Sequence, residues 1–78
     1  MTTIRTRPIP FNDFTPCDVP GCETYADHDV IVGGNVPARA LCREHLALVR
    51  AAAKRGPGSD GVFRGPDGRP IWSERGWI

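Results

Sequence analysis

Four residues of this 78-residue chain have the types and spacing for metal chemistry: Cys17, Cys22, Cys42 and His45. They fall into two pairs. Cys17-Asp-Val-Pro-Gly-Cys22 leaves four residues between its sulfurs, and Cys42-Arg-Glu-His45 follows after nineteen more. Three thiolates and one imidazole make a complete tetrahedral set for one zinc ion. Such a set is full and leaves no position for a water, so a structural ion is expected rather than a catalytic one. The zinc-deaminase arrangement is missing, because no Glu stands two residues after a His and no Cys-x-x-Cys is present. His-Glu-x-x-His, a phosphate loop and Gly-x-Ser-x-Gly are missing too. Two other readings of the cysteines stay open: three free thiols in a small core, or an iron–sulfur site, whose usual spacing is not found here.

The elements that must position these donors are legible in outline. Pro20-Gly21 stands just before the second sulfur, and Gly allows the left-handed backbone that folds a zinc knuckle around an ion. Residues 23–41 read as a β-hairpin. Thr24-Tyr25 leads in, Val30-Ile31-Val32 is β-branched, and Val36 opens the return, with Pro37 at its end or edge. Gly33-Gly34-Asn35 is the favoured tip, with Asp27-His28-Asp29 as the other candidate. Residues 41–55 form the one convincing helix. Cys42, Leu46, Val49 and Ala53 share a stripe, and His45, Leu48 and Ala52 lie on the stripe beside it. Cys42 and His45 therefore project together from the first turn. Gly56 and Pro57 stop the helix.

Either side of this stretch the chain is rich in turn residues, with nine glycines and eight prolines in all. Residues 1–14 read as an extended N-terminal arm, since Pro8 and Pro10 forbid a helix. Ile4, Ile9, Phe11 and Phe14 could pack it onto the domain; the alternative is a loosely held arm. Residues 57–78 read as a Gly/Pro-rich linker, then a short second hairpin. That hairpin would turn at Pro66-Asp67 with Gly68 left-handed, and Ser73 to Ile78 would trail off behind it.

Composition narrows the class. A domain this small buries little apolar surface and usually needs a staple. No apolar run reaches membrane-span length, and the N-terminus lacks a signal-peptide core. A reducing, cytoplasmic setting is expected, where an odd set of three cysteines suits a metal better than disulfides. Formal net charge is +1. Three thiolates and one zinc dication bring it to zero, so whole-molecule charge does not draw the protein to nucleic acid. Charge is uneven, however. Residues 1–37 hold two Arg against five acids, and residues 38–78 hold eight basic residues against four acids.

The order knuckle, hairpin, then a helix giving the second ligand pair from its first turn resembles the treble-clef zinc finger over residues 15–56. Cys17, Cys22, Cys42 and His45 match its ligand positions. The four-residue knuckle spacing and the His in fourth place depart from the commonest pattern. In size and Arg-rich style the chain also resembles short zinc-finger proteins of actinobacteria and their phages. The resemblance implies a small α+β zinc-stabilised domain. Treble clefs serve as nucleases, ribosomal proteins, transcription factors and adaptors, so fold alone does not choose a function. The His-Asn-His nuclease branch is disfavoured because only His28 remains outside the ligand set.

The expected function is a non-enzymatic interaction module that binds a protein partner, with no membrane and no small-molecule substrate. The alternative is a DNA- or RNA-binding finger. Arg39 and Arg43 flank Cys42 and could donate to its sulfur. Arg43, Arg50 and Lys54 line the outer helix face and could grip phosphates, or simply be solvated. Trp72 and Trp77 are candidate partner anchors, or caps on the core. His28 reads as an exposed hairpin residue. It could instead replace a ligand, or bind a second ion between Asp27 and Asp29.

Overall fold

The computed structural model describes residues 3–10, 12–33 and 36–78. Three strands, β1 (Ile4–Pro8), β2 (His28–Val32) and β3 (Arg39–Leu41), form an antiparallel sheet in the order β1-β2-β3. One helix follows, α1 (Arg43–Arg55). A second antiparallel sheet comes last, from β4 (Phe63–Arg64), β5 (Pro70–Ser73) and β6 (Gly76–Trp77). The class is small α+β, with two small sheets and one helix.

Alternation builds the first sheet. Val30 and Val32 of β2 point inward and are buried, while Ile31 is exposed on the other face. Opposite them on β1 stand Thr6 and Ile4, half-buried, and Ile4 packs against the core. Arg7 lies opposite Asp29 on the outer face, and the pair closes an ion contact at 3.2 Å. Within the expected N-terminal arm, residues 4–8 are an edge strand. Pro8 and the exposed Arg5 and Arg7 keep that edge from templating further strands. The expected packing of Phe11 lies outside the described residues. Phe14 is exposed and leans on Tyr25, ring centroids 5.7 Å apart.

The hairpin differs from expectation in its return strand. β3 begins at Arg39, after Pro37, and Val36 lies before it as a buried core residue. Pro37 cannot donate a ladder hydrogen bond, so pairing starts beyond it. The register is His28 opposite Leu41 and Val30 opposite Arg39. The expected tip at Gly33-Gly34-Asn35 lies partly outside the described residues.

The helix starts two residues later than expected. Leu41 ends β3, and Cys42 keeps an extended backbone (φ −71°, ψ 168°) as the residue before the first turn. The Cys42 carbonyl accepts the first helical bond, from the Leu46 N–H at 2.9 Å. Leu46, Val49 and Ala52 are the buried residues, with Ala53 partly buried beside them. Gly56 closes the helix, its N–H donating to the Ala52 carbonyl.

The C-terminal end is more ordered than a hairpin with a trailing tail. The Pro66-Asp67 turn is as expected: the Gly68 N–H donates to the Gly65 carbonyl at 2.9 Å, and Gly68 has φ 82°. The tail then turns back as β6 and pairs Trp77 with Trp72. Three aromatics stand in one cross-strand row. Phe63 stacks on Trp72 at 4.4 Å, and Trp77 tilts against Trp72 at 5.8 Å. The Trp77 Nε1–H donates to the Pro37 carbonyl at 2.6 Å, tying this sheet to the loop before β3. One core cluster runs through both halves, from Cys17, Val30 and Leu41 to Phe63 and Trp72.

Candidate metal centre

The first pair of donors sits on a loop held shut by backbone bonds. The Cys17 N–H donates to the Thr24 carbonyl at 3.0 Å, and the Cys22 N–H donates to the Val19 carbonyl at 3.0 Å. Gly21 takes φ 83° between them, a conformation an L side chain would strain. The second pair sits where β3 passes into α1. Cys42 is the last extended residue and His45 lies in the first helical turn, so one short segment aims both.

Asp18 joins the two halves. Its N–H donates to the Ala40 carbonyl at 2.9 Å, and its carboxylate accepts the Ala40 N–H at 2.8 Å. Both polar groups on the free edge of β3 at Ala40 are thereby satisfied. This clamp was missed in the sequence. The only available signal is a short acidic side chain directly after a ligand, and its partner lies 22 residues away.

The four expected ligands converge. The Cys17, Cys22 and Cys42 sulfurs and a His45 ring nitrogen all lie within 4.8 Å of one another. Cys22 Sγ to Cys42 Sγ is 3.9 Å. His45 Nδ1 is 3.1 Å from the Cys42 sulfur and 3.5 Å from the Cys17 sulfur. A tetrahedral zinc ion with bonds of about 2.3 Å to sulfur and 2.0 Å to nitrogen has S···S edges of about 3.8 Å and S···N edges of about 3.5 Å. The donor set could therefore hold one metal ion, with Nδ1 the His45 nitrogen that faces the Cys17 and Cys42 sulfurs. No disulfide competes, since all three cysteines are free. Among the described residues this is the one group of three or more Cys, His, Asp or Glu side chains close enough to share an ion.

The sulfurs are not equivalent. Cys17 and Cys42 are buried, while Cys22 is half-exposed. Burial pushes the Cys17 thiol up from its ordinary pKa. A backbone hydrogen bond at Thr24 draws the Cys22 thiol down. A dication neutralises most of the charge of three thiolates, so a metal removes the cost of ionising the buried sulfur.

Other candidate residues fall elsewhere. Arg39 does not reach a sulfur; its guanidinium lies over the Trp77 ring, 5.0 Å from the centroid. Arg43 is exposed and makes no hydrogen bond to a sulfur among the described residues. Arg50 and Lys54 are exposed on the outer face of α1. Trp72 is 1% exposed at the centre of the aromatic row, so it belongs to the core and not to a surface. Trp77 is half-buried. His28 is not the exposed residue expected. It stands on the inward side of β2, and its Nδ1 is buried without a hydrogen-bond partner. Alternation sets its flanking carboxylates on the other face, where Asp29 is held by Arg7.

Among the described residues no helix is long and apolar enough to cross a membrane. No protein-family description, curated protein or solved structure matches the chain.

Proposed function

We propose that the chain is a treble-clef-like zinc finger acting as a non-enzymatic module that binds a protein partner. The observation that carries this reading is the closed donor set: four protein side chains within 4.8 Å of one another, enough to fill a zinc ion's coordination. Zinc in such a set supplies folding energy rather than a reactive water. It fixes the knuckle against the start of α1 and leaves the rest of the surface to recognition. Holo charge of zero favours a protein partner over a polyanion.

The nucleic-acid reading keeps one supporting observation. Arg43, Arg50 and Lys54 are all exposed and pair with no acid among the described residues. A pull-down with zinc-loaded protein from a lysate, with and without nuclease treatment, separates the two. Nuclease-resistant capture of protein supports the proposed module. Nuclease-sensitive capture, with affinity falling steeply in salt and with Arg43→Glu/Arg50→Glu, overturns it in favour of a nucleic-acid finger.

A further inference from the structure

A groove of about 220 Å³ lies between the metal-bearing half of the molecule and the C-terminal sheet. Val19 and Pro20 of the knuckle, Leu48 of α1, and Ile71 and Trp77 of the C-terminal sheet line it. It is smaller than the roughly 300 Å³ at which small-molecule sites begin, and so suits a single anchoring side chain. Its lining is largely apolar, but Arg39 and Arg69 on it are donors. Arg39 lines it, packed over Trp77 at 5.0 Å, and has no ion-pair partner among the described residues. Arg69 is exposed at the rim and shares Asp67 at 3.6 Å. His45 lines it as well. Asp67, already engaged, is the one acidic side chain among the described residues that line the groove.

An apolar slot ringed by donors calls for an apolar side chain beside a negative charge. We infer that this groove docks an acidic peptide segment, with an aliphatic or aromatic side chain in the slot and a neighbouring Asp or Glu carboxylate on Arg39 and Arg69. This rests on the protein-binding reading above and names its surface and partner chemistry. Arg39 is suited to the role because the Trp77 face holds its planar fork in place before binding, so little freedom is lost on pairing. A bound metal would bear on the slot through structure, since the knuckle residues Val19 and Pro20 and the ligand His45 all line it.

The test is selection of random heptapeptides displayed on phage against the zinc-loaded full chain. Binding of the enriched peptides is then measured by fluorescence anisotropy. Enriched sequences should place Asp or Glu next to Leu, Ile or Phe. Arg39→Glu and Arg69→Glu should each weaken them about tenfold or more with zinc content unchanged, and Arg69→Glu should leave the melting curve unchanged too. Arg69→Glu serves if Arg39→Glu disturbs folding. Amide shifts on peptide addition should centre on Leu48, Ile71 and the Trp77 indole. The inference fails if no peptide is enriched, if enriched peptides are basic or uncharged, or if both variants bind as wild type does. It also fails if a concentration-dependent dimer abolished by Arg69→Glu shows that a second copy fills the slot. The two readings fail separately. Nuclease-resistant lysate capture that survives both Arg variants rejects the groove and keeps the module; nuclease-sensitive capture rejects the module.

Discussion

Cys42 has three roles at once: it presents a sulfur, carries the extended chain from β3 to the helix, and gives its carbonyl to the first helical bond. It stands where helices prefer Ser, Thr, Asp or Asn, and its side chain makes no capping bond because the sulfur is turned to the cluster. Those demands pull apart in Cys42→Ser. A serine improves the cap and removes a thiolate ligand. If capping dominated, the variant would be the more stable protein. Structural zinc contributes on the order of 10–16 kcal/mol in small fingers, against about 1 kcal/mol for a cap. Cys42→Ser is therefore expected to lose stoichiometric zinc and the cooperative melt, read by metal analysis and circular dichroism; a higher melting temperature with zinc lost would reject a structural role for the metal. Asp18→Ala is a milder change. It strands the Ala40 N–H and should cost about 1–2 kcal/mol. In a domain this size that lowers Tm by about 4–15 °C. Zinc stoichiometry should stay at one, since no ligand is touched.

The ligand set was legible because Cys and His carry their chemistry in their identity, and a Gly turn and a helical period fixed where each pair points. Elements defined by tertiary partners were less so. β6 is two residues long, and no pattern in Gly76-Trp77 marks a strand. It forms because Trp77 has Trp72 beside it and the Pro37 carbonyl within reach, 40 positions away in sequence. β1 reads as an arm for the same reason: its inward face is only Ile4 and Thr6, and what holds it is the β2 edge. The loop after α1 looks like a Gly-rich linker, yet one local pair orders it. Arg64 holds both Asp60 oxygens, at 3.2 and 2.8 Å, and the Val62 N–H donates to the same carboxylate. These bonds, the Arg64 side chain first, lower the Asp60 pKa to about 2 from an ordinary 3.8. A depressed carboxyl pKa stabilises the fold fully above the unfolded value and loses that effect progressively as pH falls from about 3.8 through about 2. Protons compete for zinc-bound thiolates and imidazole before that window is reached. The melting-temperature difference between wild type and Asp60→Asn should thus be constant from pH 5 to 8. Acid unfolding of both should coincide with zinc release. A difference that shrinks between pH 8 and 5, in melts followed at fixed zinc and salt, would contradict the assignment.

Across the whole molecule, the question is whether the metal holds only the knuckle or the entire chain. Contacts argue for the entire chain. Cys17 and Cys42 belong to the same buried cluster as Val30, Leu46, Phe63 and Trp72, so no dry boundary separates the metal half from the aromatic sheet. The Trp77 bond to Pro37 and the Arg39–Trp77 packing cross between the halves at the surface. A three-stranded sheet of two, four and two residues has little surface to bury alone, and small sheets need packing against a partner to persist. Removing zinc under reducing conditions should therefore melt both halves in one step. Trp72 and Trp77 report this, since neither is a ligand. Their emission should shift to the red, Trp72 most as it leaves a site that is 1% exposed. The change should follow the loss of far-ultraviolet dichroism along one transition in chelator concentration, and zinc should reverse it. If dichroism falls while Trp emission stays blue, the aromatic sheet folds by itself. The chain would then be two units joined through α1, and the slot between them would not depend on the metal for its shape. If the transitions coincide, zinc occupancy controls every surface the protein presents, including the groove over which Arg39 and Trp77 meet.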